Sequence, residues 1–316
     1  MTQRPIGGAS RLSRLGIALL ALAATGSLAV AAPNSLADRL MRIDRSTVWT
    51  PVGETPVLFA THHPQGMVRI GQDFFVSSVD IQRRTVRYPK PRDGHDRDAG
   101  SGVGHLFKIG ADGALLGDLR LGEGDVYHPG GIDYDGQFIW VGVAEYRPNS
   151  RAIIYRVDPR TLTATEVLRV ADHIGAVAYD RRRRTLHGVS WGGRLFYSWR
   201  LARGGGVSAP VVVANRSHYI DYQDCRHLGR ASMLCSGLAE YQPAPPGAPF
   251  ALGGWEIVDL KDHRPIWQAP ILLWAASGRP MTQNPFCVEW TAVGVRAYFM
   301  PDDDRSTIYA YNAVLP

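Results

Sequence analysis

The chain has 316 residues, 20% of them charged, and a formal net charge of +6. Three of its 35 basic residues, Arg4, Arg11 and Arg14, precede every acid and fall in a leader described next. Without them 32 basic residues face 29 acids, a balance that excludes the strongly basic footprint of a nucleic-acid-binding protein.

Arg4, Arg11 and Arg14 lead into an apolar, small-residue run from Leu15 to Leu28, and Ala29-Val30-Ala31 forms an A-x-A cleavage signature. The pattern predicts an export leader over residues 1–31. Residues 32–316 are then one domain, secreted or periplasmic, with no membrane span of its own. About 285 residues suffice for a single closed β-domain, which we expect to be a monomer.

After the leader comes Ser46-Thr47-Val48-Trp49-Thr50-Pro51-Val52, strand-like but with no local partner. Five similar openings to short apolar strands follow: His63-Pro64-Gln65-Gly66-Met67, His128-Pro129-Gly130-Gly131-Ile132, His173-Ile174-Gly175-Ala176-Val177, His218-Tyr219-Ile220-Asp221-Tyr222 and Asn284-Pro285-Phe286-Cys287-Val288. Each is succeeded by a second strand (Phe74–Val79, Phe138–Val143, Thr185–Val189, Met233–Gly237, Ala297–Met300). A third strand of alternating large apolar residues comes next (His105–Ile109, Ile153–Val157, Leu195–Trp199, Trp255–Asp259, Thr307–Tyr311). A fourth appears near Leu115–Leu121, Ala164–Val170, Pro210–Ala214 and Pro265–Ile271, and is missing only after the last repeat.

A strand-only repeat of about 45 to 65 residues indicates a β-propeller. The last blade lacks one strand and the N-terminal strand lacks a partner, so the two complete each other and leave no open sheet edge. The expected fold is all-β, a five-bladed β-propeller closed by its N-terminal strand. Six blades would result if the segment from Leu36 supplied further strands. The repeat resembles the secreted five-bladed propellers, and its His-His-Pro-Gln-Gly and His-Pro-Gly-Gly openings resemble those of an uncharacterised bacterial family of unknown function. That resemblance implies the fold and assigns no activity.

A propeller gathers the start of every inner strand on one face. His63, His128, His173 and His218, with Asn284 in the fifth blade, are thus predicted to ring the axis. The second strands end on the same face, at Asp80, Glu145, Trp191, Glu240 and Asp302 or Asp303. Converging imidazoles and carboxylates suit a divalent metal ion, with the four histidines as ligands. They also suit acid–base work by Glu145 and Glu240, with Asp80 and Asp303 as auxiliary acids. Streptogramin lyases, larger propellers with an axial histidine and metal, give a precedent by resemblance. Carotenoid-cleaving oxygenases, with four histidines on iron, give another, although their seven blades exceed this chain. The expected activity is metal-assisted hydrolysis or lyase chemistry on a small molecule. The alternative is a non-catalytic receptor binding a glycan or protein through Tyr88, Tyr146, Tyr241 and Phe250.

His62, His95, His105, His187, His227 and His263 are read as structural, and Arg181–Arg184 as a solvated turn. Cys225 and Cys235 flank the turn His227-Leu228-Gly229-Arg230, where a cross-strand disulfide is expected. Cys287 is read as a small residue packed near the axis.

Overall fold

The computed structural model describes residues 35–243 and 247–315, so the expected leader lies outside the described residues. Ser35 caps a short helix, α1 (Leu36–Leu40), by accepting a hydrogen bond from the Asp38 N–H at 3.1 Å. β1 (Trp49–Pro56) follows. The first blade contains β2 (His63–Ile70) and β3 (Asp73–Arg83), an inserted hairpin of β4 (Arg87–Arg92) and β5 (His95–Arg97), then β6 (Ser101–Ile109) and β7 (Leu115–Leu121). The second contains β8 (His128–Tyr134), β9 (Ile139–Ala144), β10 (Ala152–Asp158) and β11 (Thr163–Val170). The third has β12 (Ala176–Asp180), β13 (Thr185–Val189), β14 (Leu195–Arg200) and β15 (Val211–Ala214). The fourth has β16 (Asp221–Gly229), β17 (Ser232–Tyr241), β18 (Phe250–Asp259) and β19 (Arg264–Pro270). The fifth ends the chain with β20 (Phe286–Trp290), β21 (Gly294–Phe299) and β22 (Thr307–Val314).

Each blade is a four-stranded antiparallel sheet, and β1 is the outer strand of the fifth, hydrogen-bonded along β22 from Trp49 opposite Ala313 to Pro56 opposite Thr307. The propeller is therefore closed by its N-terminal strand. Its core repeats the same logic, with one apolar cluster per interface between successive blades. Val68, Phe75, Ile132 and Val141 join the first to the second, and Trp140, Ile154, Val177 and Leu186 the second to the third. Phe196, Tyr222 and Met233 join the third to the fourth. Trp255 packs with Phe286 and Phe299 between the fourth and fifth. Met67, Phe74 and Tyr298 complete the ring between the fifth and first. The segment from Leu36 forms no sixth blade: Leu36, Leu40 and Ile43 are buried in the cluster around Trp255.

The glycines of the inner-strand openings have a steric cause. A Cβ on Gly130 would collide with the Gly175 carbonyl, and one on Gly131 would press on Asp224 and Ala176. Their absence lets β8 and β12 approach closely enough for a parallel bridge between Gly131 and Ala176, joining the second and third blades. Cys225 and Cys235 face each other across β16 and β17 and are disulfide-bonded. Cys287 is free and buried, and burial pushes its thiol pKa well up, so it packs as a small apolar residue.

Candidate functional site at the axial face

The centre of the propeller is held by a residue whose role the repeat pattern concealed. Asp224, 1% exposed, projects from β16 and accepts hydrogen bonds from the main-chain N–H groups of Met67 (3.0 Å), Ile132 (3.0 Å) and Phe286 (3.4 Å). One carboxyl group thus ties four of the five inner strands. Burial pushes its pKa well up, against the opposing pull of those three N–H groups and Arg226.

Above this hub, at the N-terminal ends of the inner strands, lies a cavity of about 180 Å³. Its walls include His63, His128, His173, Tyr146 and Trp191. His63 begins β2, and its Nδ1 donates to Asp303 Oδ1 at 2.8 Å. Asp303 is also bound by Arg279 at 3.0 Å and by the Asn284 amide at 3.3 Å. Burial raises the Asp303 pKa, but His63 and Arg279 outweigh it and hold the carboxyl below its ordinary value. His173 Nδ1 donates to the Glu145 main-chain carbonyl at 2.9 Å, which fixes its tautomer and leaves Nε2 as an acceptor. His128 is 5% exposed and its buried Nε2 has no hydrogen-bond partner among the described residues. Desolvation lowers the pKa values of both, well below normal for His128, where His63 and His173 add to the effect.

Aromatic rings brace these imidazoles. Tyr146 stacks on His128 with centroids 4.2 Å apart, and Trp191 meets His173 edge-on at 4.9 Å. His63 and His128 lie edge to face at 6.1 Å. The inserted hairpin reaches the same place, with the Arg97 guanidinium 5.1 Å above the Trp191 ring. A second, contiguous recess of about 170 Å³ shares His63 and Tyr146 and adds Asp80, His62 and Asp303.

The structure thus brings together His63, His128, His173, Trp191 and Asp303, with Asn284 behind Asp303 and Asp80 at the neighbouring recess. It places the others elsewhere. His218 is exposed, and its Nδ1 accepts from Arg194 at 2.8 Å, outside the cavity walls. β16 starts three residues after His218, the same offset as β12 from His173, so the local partners decide where each ring goes: Arg194 holds His218, and the Glu145 carbonyl holds His173. The Glu145 carboxylate is 1% exposed and clasped by Arg147 and Arg151 at 2.6 Å each, and those cations hold its pKa down against burial. It serves the site through its carbonyl, and a general-base role does not fit this geometry. Glu240 is exposed on the β17–β18 hairpin, away from the cavity walls. Among the described residues, no three His, Cys, Asp or Glu side chains stand together in metal-ligating geometry.

Of the histidines read as structural, His105 binds Asp118 at 2.8 Å and His187 the Ser198 hydroxyl at 2.9 Å, whereas His62 lines the second recess. Of the four aromatics expected on exposed loops, Tyr241 and Phe250 form an exposed stacked pair at 5.1 Å. Tyr88 carries Arg92 over its ring at 4.8 Å, and Tyr146 belongs to the cavity instead.

No helix among the described residues is long and apolar enough to cross a membrane. The fold is similar to the WD40 domain of Toxoplasma gondii coronin at 7% identity, over 87% of this chain and 88% of that one, with a TM-score of 0.38. A luciferin-regenerating enzyme is similar at 10% identity over 84% of this chain and 98% of its own, with a TM-score of 0.44. No curated protein matches the chain at a significant level. Residues 17–316 match a family of unknown function, DUF6454, and the chain belongs to that family.

Proposed function

We propose that the axial cavity binds a small molecule and acts on it by hydrolase or lyase chemistry, in an exported protein. The observation that carries this reading is the His128 Nε2, a buried polar atom without a partner on the wall of a cavity that holds two further imidazoles. An unsatisfied buried nitrogen costs about 1–3 kcal/mol, a cost that a ligand donating or accepting a hydrogen bond there would offset. His63, oriented through Nδ1 by Asp303, presents Nε2 as the group that takes a proton from substrate or water. His128 and His173, held neutral by burial, orient and polarise the substrate. The disulfide is compatible with an oxidising, extracytoplasmic compartment.

One observation favours a divalent metal ion as an aid to this chemistry. Nδ1 of His63 and of His173 is already tied to a carboxylate and a carbonyl, the arrangement that leaves Nε2 to ligate. His63, His128 and His173 would be the ligands, and the rings would have to draw together around the ion. A bound ion would supply Lewis-acid polarisation or a more acidic water.

The test is turnover of a panel of chromogenic carboxylic, phosphate and sulfate esters and lactones by the mature protein, with zinc titrated calorimetrically in parallel. His63→Ala and His128→Phe are each expected to reduce any turnover by about a hundredfold or more. Activity that survives chelation assigns the chemistry to the imidazoles alone, and activity restored by zinc assigns it to the metal-assisted form. Turnover and zinc binding that ignore both substitutions would overturn the proposal.

A further inference from the structure

At the opposite end of β8 from His128, the turn between β8 and β9 and the turn between β12 and β13 border a separate cleft of about 360 Å³. Four arginines line it: Arg156, Arg181, Arg184 and Arg203. The residues Arg181–Arg184 are therefore more than a solvated turn. Arg183 pairs with Asp180 at 2.9 Å, while Arg181 and Arg184 face the cleft. Among the described residues no carboxylate lies within ion-pair distance of any of the four lining arginines; the nearby pairs go to other cations, such as Arg160 with Asp158.

The only acid on the cleft wall among the described residues, Asp135, is already hydrogen-bonded. Its Oδ1 accepts from the main-chain N–H groups of Gln137 and Phe138 at 2.8 Å, and its Oδ2 from Trp140 Nε1 at 2.9 Å. The arginines are held in place by neutral groups instead. The Arg156 guanidinium sits 4.5 Å over the Phe138 ring, and its buried Nε has no partner. Arg184 Nε donates to the Leu201 carbonyl at 2.9 Å, and Arg181 Nη2 to Gln137 Oε1 at 3.3 Å. These contacts orient the forks without neutralising them. Several uncompensated cations around one concavity repel each other and gain most from a shared multivalent anion.

We propose that this cleft binds an anion carrying at least two tetrahedral oxyanion groups, phosphate or sulfate esters, held by the forks of Arg156, Arg181 and Arg184 with Arg203 at the rim. Guanidinium forks match the paired oxygens of such groups in a bidentate way, which a planar carboxylate shares but a halide does not. The site is independent of the axial cavity and does not rest on the activity proposed there.

Calorimetric titration of the mature protein with inorganic pyrophosphate and with sucrose octasulfate tests this, chloride and monovalent phosphate esters serving as weak references. Binding of either probe is expected, with preference between them showing whether phosphate or sulfate esters are the natural source. Arg156→Ala and Arg184→Ala are each expected to weaken it about tenfold or more, and Arg203→Ala, fully on the surface, to weaken it less without touching the fold. Arg160→Ala, an exposed and already paired neighbour, should leave it unchanged. Absence of binding by both probes, or equal losses in Arg156→Ala and Arg160→Ala, would overturn the proposal.

Discussion

Asp224 and His128 are both sealed from solvent near the propeller axis, yet their polar atoms are treated differently. Both carboxylate oxygens of Asp224 receive main-chain donors from neighbouring blades, whereas the buried Nε2 of His128 receives nothing. A buried polar group with all partners supplied by the fold is a structural device. One left unsatisfied beside a cavity costs the fold free energy, and the proposed ligand would supply the missing partner. On the proposed function, the same burial and the same axis hold a hub and, one layer nearer the face, a ligand site.

The comparison is most easily broken at the hub. Asp224→Ala would leave three buried N–H groups without acceptors, at about 1–3 kcal/mol each, offset in part by removing a buried carboxyl group, so a loss of about 3–5 kcal/mol is expected in urea unfolding. A variant within about 1 kcal/mol of wild type would show that the blades do not depend on this residue.

The pH profile sharpens the contrast. Burial lowers the pKa values of His128 and His173 in the fold, and that of His187 to about 3. Their contribution is full above the unfolded value near pH 6.5 and is lost as pH falls, at about 1.4 kcal/mol per unit per histidine. Asp224 acts with the opposite sign, since its folded pKa is raised: its contribution is full below the unfolded carboxylate value and is lost as pH rises. His263 is shifted down by burial like these three and Asp133 up like Asp224, and four histidines outweigh two aspartates, so the protein is expected to be less stable at about pH 5 than at about pH 7. Equal stability at the two values would mean that the histidines take up protons in the folded state.

Reduction of the Cys225–Cys235 disulfide, which closes a short loop within one blade, is expected to cost about 2–3 kcal/mol. Because the bond lies within one blade, ligand binding at the axial face should survive reduction under native conditions.

What was legible in the sequence follows from how local each signal is. The blades, their closure by β1 and the disulfide are recorded in alternating apolar runs, a missing last strand and two cysteines around one turn. The positions of His63 and His128 were legible because the strands begin at those residues. His218 lies outside because Arg194 binds its Nδ1, a contact between different parts of two blades that the repeat does not record. Glu145 aligned with the other acids, but two arginines a few residues downstream claim its carboxylate. Asp224 was invisible as a hub because its partners lie up to 157 residues away, and nothing in β16 alone announces them. Long-range polar pairing was the part that repeat counting could not supply.

Urea unfolding of His128→Phe beside the wild type needs no knowledge of the ligand. Phenylalanine keeps the ring against Tyr146 and removes the unpartnered nitrogen. Stability equal to or above wild type, by up to about 1 kcal/mol, is the expected result for a residue kept for a ligand. A loss of about 2 kcal/mol or more would place His128 beside Asp224 as a structural device and contradict the account.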